Sequence, residues 1–134
     1  MFEILQHTAD VRLRVRAPSL EELFRDAMRG MFAIMRAELG ARRSELGVRA
    51  DIVIDSVDLT ALLVDFLNAV LTRAQIDHVA FEDVNFVRLT QTGLDAQLSG
   101  VPAQFEQDIK AVTYHEAEVR HVEGAWQTML VFDI

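Results

Sequence analysis

Apolar and polar residues alternate with period two from Val11 to Arg16, and this segment and the short run Phe2 to Gln6 before it read as two short strands. In the second, Val11, Leu13 and Val15 take one face, and Arg12, Arg14 and Arg16 the other. His7-Thr8-Ala9-Asp10 interrupts them, with Thr and Asp side chains suited to accept from turn amides. From residue 20 the period becomes helical. Leu20, Leu23, Phe24, Ala27, Met28, Met31, Phe32 and Met35 form one apolar stripe, Ser19 is placed to cap it, and Glu22 completes a capping box. The three methionines on that stripe fit core packing better than an adaptable binding groove.

The pattern lapses over residues 37 to 47, which carry two glycines, and a loop is expected there. Val48, Ala50, Ile52 and Ile54 resume a strand. Asp58 then caps a second helix with the stripe Leu59, Leu62, Leu63, Phe66, Leu67, Val70 and Leu71, while Asp65, Asn68 and Thr72 share its other side. After residue 78 only strand patterns remain, at Ala80 to Gln91, Leu94 to Gly100, Ile109 to Val122 and Ala125 to Ile134. Gly93, Gly100-Val101-Pro102 and Glu123-Gly124 separate them as turns, the last as a tight hairpin. Few βαβ alternations occur. The expected fold class is therefore α+β, one domain over residues 1–134, with a largely antiparallel sheet and two amphipathic helices packed on it.

Composition narrows the function classes. The 134 residues suit one core, and the absence of cysteine excludes disulfides, thiolate metal sites and a cysteine nucleophile. Net charge is −8, so the chain is a poor candidate for gripping phosphate backbones, which takes Lys and Arg. Acidity fits a basic protein partner, a cation site, or a face kept for solubility. The N-terminus lacks the marks of a signal peptide, and no stretch reads as a membrane span, so a soluble, cytoplasmic protein is expected.

No strong catalytic motif is present: the six glycines are scattered, and neither HExxH nor Gly-x-Ser-x-Gly occurs. His115 and His121 share one predicted strand but would stand roughly 20 Å apart, too far for one metal. The acidic C-terminus is more informative. Asp133 follows the apolar run Met129-Leu130-Val131-Phe132, and Ile134 brings an α-carboxylate beside it. Adjacent carboxylates repel unless a cation or donor neutralises them. Joined by Asp10, they would make an all-oxygen site for Ca²⁺, Mg²⁺ or Mn²⁺, although nothing in the pattern alone brings residue 10 to residue 133.

Four segments resemble the archease family in order and spacing: His7-Thr8-Ala9-Asp10-Val11, Leu62-Leu63-Val64-Asp65-Phe66-Leu67-Asn68, Ile109-Lys110-Ala111-Val112-Thr113-Tyr114-His115 and Val131-Phe132-Asp133-Ile134. Arg12 stands where that family usually has Gly, Phe66 where it commonly has Trp, and the segment between Gly100 and Ile109 is short for it. The resemblance implies an α+β domain with a divalent metal held at Asp10, Asp133 and Ile134. It also implies an accessory role, in which the chain promotes guanylylation and multiple turnover of an RtcB-type tRNA-splicing RNA ligase. The ligase itself forms a guanylate on its own histidine, so no catalysis is expected of this chain. His7, Asp65, Lys110 and His115 are the candidate partner contacts. The competing readings are a small metal-dependent phosphoester hydrolase and a general chaperone or modulator of nucleic-acid-processing proteins.

Overall fold

In a computed structural model, which describes residues 1–6, 10–39 and 47–134, all strand pairs among those residues are antiparallel. The order is β1 Phe2–Gln6, β2 Asp10–Ala17, α1 Leu20–Met35, β3 Ala37–Leu39, β4 Val48–Asp55, α2 Leu59–Asp77, β5 Val79–Leu89, β6 Gly93–Phe105, β7 Ala111–Thr113, β8 Arg120–Val122 and β9 Ala125–Asp133. The strands form two sheets rather than one. The first runs β1-β2-β9-β7, with β8 also on β9; the second runs β3-β6-β4, with β5 on the other side of β6.

Each helix touches both sheets, which explains why burial extends beyond a single stripe. On α1 the buried set includes Gly30 and Ile34 besides the expected positions. A Cβ at Gly30 would stand 2.6 Å from Leu13 Cδ2, so this glycine sets how closely α1 lies on the first sheet. Between the layers, Phe24, Phe66 and Phe86 form an aromatic cluster with ring centroids 5.6, 5.8 and 5.9 Å apart.

Local signals hold where one residue type dictates geometry. Ser19 caps α1 by accepting from Glu22 N–H at 3.2 Å, and Asp58 caps α2 by accepting from Ala61 N–H at 2.8 Å. His78 ends α2 in the left-handed region at φ 54, a backbone role that accounts for this histidine. Glu123 and Gly124, at φ 50 and 77, make the tight turn expected between β8 and β9.

Four expectations need correction. Residues Ala37–Leu39 are not loop but strand, paired with Phe105 to Ala103; residues 40–46 lie outside the described residues. Gly100-Val101-Pro102 is no turn, because β6 runs straight through it between β4 and β5. Gly is needed there since a Cβ would lie 2.3 Å from the Ala80 carbonyl oxygen. Ile109 to Val122 is not one strand: the chain leaves the sheet after Thr113, passes Glu116 at φ 61, and rejoins β9 at Arg120. His115 thus lies in the turn and His121 on β8, where its ring is tilted against that of Trp126 with centroids 4.6 Å apart. Finally, α2 is long and apolar enough, by length and composition only, to cross a membrane. Its apolar side is spent in the core, where Leu62, Leu63, Phe66 and Leu67 are fully buried.

Candidate functional site

The β2–β9 ladder fixes the acidic corner. Eight consecutive residues pair, from Ala17 opposite Trp126 to Asp10 opposite Asp133. Val11, Leu13, Leu130 and Phe132 are buried on the inner face, and this phase leaves no choice for the others. Asp10 and Asp133 face outward, directly opposed, on the same side of the sheet. On the other flank of β9, Ala111 pairs with Asp133, and Lys110 N–H donates to the Asp133 carbonyl at 2.7 Å. Ile134 is half-buried and packs against the core, so the strand end is held rather than frayed.

Like charges directly opposed across a ladder destabilise it unless something neutralises them. Asp10 is only partly answered. Its Oδ1 is buried and has no hydrogen-bond partner, and among the described residues the nearest cation, Arg12 Nε, stands 3.8 Å away, also buried without a partner. Arg12 gives its hydrogen bond to Glu116, on the turn after β7. Thr113 Oγ1, across the same face, is a third buried polar atom without a partner. An orphaned carboxylate oxygen beside a second carboxylate is what a hard cation would satisfy, so the residues fit a divalent metal. Among the described residues no three His, Asp or Glu side chains converge. Farther along the outer face, a cleft of about 420 Å³ is lined by residues that include Arg14, Arg16, Glu116, Glu118, Arg120 and Gln127.

A model of the Archease protein family matches residues 2–134. The chain belongs to the archease family. Archease proteins of Methanosarcina barkeri and Pyrococcus furiosus are 29% and 30% identical to it over 142 and 143 residues, in each case 99% of this chain and 95% and 98% of the relative. Its fold matches the crystal structure of an archease, described as a possible chaperone, from Thermotoga maritima, with TM-score 0.73 at 19% identity over 100% of this chain and 98% of that one. A Methanobacterium thermoautotrophicum protein solved in solution matches with TM-score 0.71 at 23% identity, covering 99% and 98%. At such identities these two structures speak for the fold.

The archease-family chain brings Asp10, Asp133 and residue 134 to one corner, and separates the remaining candidates. His7 lies outside the described residues. Lys110 is exposed, as is His115, whose Nε2 is 3.9 Å from Glu116 Oε1. Asp65 is engaged internally, accepting from Ser56 Oγ at 2.6 Å and from the Tyr114 hydroxyl. That phenol is held above its ordinary pKa, first because its proton is donated to the Asp65 carboxylate, then through desolvation and the nearby negative charge.

The polar side of α2 turns out to be a clamp on the segment that most resembles the family. Asn68 bonds both backbone groups of Val112, Gln75 donates to the Ile109 carbonyl at 2.8 Å, and Thr60 Oγ1 accepts from Val119 N–H at 3.0 Å. The sequence signal was available: Asp65, Asn68 and Gln75 share one helical face, opposite the apolar stripe. Arg12's link to Glu116 left no such signal, since it joins residues 104 apart.

Proposed function

We propose that this archease-family chain is an accessory protein that activates an RtcB-type RNA ligase through a divalent cation bound at the Asp10–Asp133 corner, and that it catalyses nothing alone. The observation that carries the reading is the opposed pair Asp10 and Asp133, with Asp10 Oδ1 buried and unpartnered. The α-carboxylate of Ile134 is the third donor in this reading. Three carboxylates make a hard oxygen set suited to Ca²⁺, Mg²⁺ or Mn²⁺.

When bound, the cation would supply compact positive charge beside anionic groups of the partner. The chain's own part is to hold the donors. The β2–β9 ladder sets the two aspartates against each other, and the buried Phe132 and half-buried Ile134 anchor the strand on either side of Asp133. Net charge −8 favours encounter with a basic ligase surface over direct contact with RNA. The partnership is expected in the cytoplasm.

The test combines the chain with a cognate ligase, GTP and Mn²⁺ and follows guanylate on the ligase. Faster, metal-dependent guanylylation is expected, with no release of product from model phosphoesters by the chain alone. Guanylylation unchanged by the chain would contradict the proposal. Phosphoester hydrolysis would point to a hydrolase instead, and suppressed aggregation of unrelated clients to a chaperone.

A further inference from the structure

We infer that Arg12 is a built-in counter-cation of the acidic corner, held off by Glu116, and that it competes with a divalent metal for Asp10. This inference rests on the metal reading above and concerns how that site is regulated.

Arg12 follows Asp10 by two residues on β2 and therefore projects from the same face. Its Nε stands 3.8 Å from Asp10 Oδ1, close enough for attraction and too far for a hydrogen bond. Both atoms are buried, and neither has a hydrogen-bond partner. The side chains are only 23% and 25% exposed, so water screens the pair less than it would on an open surface. A guanidinium does not lose its proton, so this charge is permanent. A metal on Asp10 Oδ1 would meet it at close range, and the two cations would repel.

Glu116 decides which way the guanidinium leans. Arg12 Nη1 donates to Glu116 Oε2. Glu116 is fixed in its turn by the left-handed φ of 61, by Ala117 N–H donating to the Tyr114 carbonyl at 3.1 Å, and by Tyr114's bond to Asp65. With Nη1 committed there, Nε stays short of a bond to Asp10, and the carboxylate oxygen remains open. Without Glu116, nothing in the turn restrains Arg12 from closing on Asp10. Glu116 is thus a positioning residue: the corner is kept receptive by the pairing of Arg12 with an acid on a different element.

Calorimetric titration with Mn²⁺ of the folded chain and five variants tests this. Arg12→Gln, which keeps a polar side chain but loses the charge, should bind at least about tenfold tighter, the size expected when a like charge leaves the neighbourhood of a cation. Arg12→Lys, which keeps the charge, should stay far closer to the parent. Glu116→Gln should bind several-fold weaker. The double variant Arg12→Gln/Glu116→Gln should match Arg12→Gln, because Glu116 acts through Arg12; a general loss of negative charge would weaken it in both backgrounds. A second readout is the rise in thermal midpoint at fixed Mn²⁺, larger for Arg12→Gln than for the parent. If Arg12→Gln binds no tighter while the parent binds metal and Asp10→Asn does not, the inference is overturned and the metal site stands. If neither the parent nor any variant binds Mn²⁺, both are overturned.

Discussion

The side-chain amide of Asn68 forms two hydrogen bonds with the backbone of Val112, donating to its carbonyl at 2.8 Å and accepting from its N–H at 2.9 Å. It does for β7 what a neighbouring strand would do, since this three-residue strand is the edge of the first sheet. Asn68→Ala leaves both groups without that partner and is expected to cost about 1–3 kcal/mol in urea unfolding. Asn68→Asp keeps the acceptor but turns a carboxylate oxygen on the Val112 carbonyl, so it should be no better. A loss below about 0.5 kcal/mol, the range of an ordinary surface change, would contradict the clamp.

Gly100 pairs with Phe81 while its Cα faces the Ala80 carbonyl. A methyl group there would come within 2.3 Å of that oxygen and 2.8 Å of Phe81 Cα, both backbone atoms with little room to move. Gly100→Ala should therefore destabilise by about 2–4 kcal/mol, as overpacking against backbone does. A melting temperature equal to the parent's would show that β5 can shift freely.

Tyr114 gives a pH prediction with a definite sign. Its folded pKa is raised, chiefly because the phenol proton is held by Asp65. The stabilisation is full below the unfolded value near pH 10 and is lost as pH rises through the folded pKa, since the unfolded chain gives up its proton first. The parent should lose more stability than Tyr114→Phe between about pH 9.5 and 11, while Tyr114→Phe should be the weaker protein at pH 7. Parallel stability curves for the two across that range would remove the Tyr114–Asp65 bond from the account.

How much of this was legible beforehand depends on whether the cause was local. β2 shows its period because Val11, Leu13 and Val15 hide one face, and the two helices show theirs because their apolar stripes pack into the core. The position of Asp10 opposite Asp133 is not local: the register joins residues at opposite ends of the chain, and only the archease resemblance linked them in advance. Gly100-Val101-Pro102 has turn composition, yet its glycine serves close packing of two strands. Asp65 and Asn68 belong to a polar helix face of the kind usually solvated, and here they hold the 109–119 segment against α2. The lack of βαβ units indicated antiparallel pairing correctly, but nothing in the alternation said that the strands divide into two sheets.

The third donor proposed for the metal has its own test. Adding a short tail after Ile134 removes the α-carboxylate from the corner while leaving Asp10 and Asp133 intact. Metal affinity should fall at least tenfold in calorimetric titration, the loss of one charged ligand from a hard-cation site, whereas an N-terminal tag should be harmless. Unchanged affinity in the tailed protein would leave the site with two aspartates alone.

The central claim is that the opposed aspartates act on a partner enzyme. The direct measurement is the number of RNA joints formed per ligase molecule, with GTP and Mn²⁺ present and the archease-family chain supplied in substoichiometric amount. The parent chain should take a ligase that stalls after about one joint into multiple turnover. Asp10→Asn and Asp133→Asn keep the shape of the corner and lose its charge, and each should leave the ligase near a single turnover while unfolding at a temperature close to the parent's. Equal multiple turnover with the parent and both variants, or none with the parent, would contradict the account.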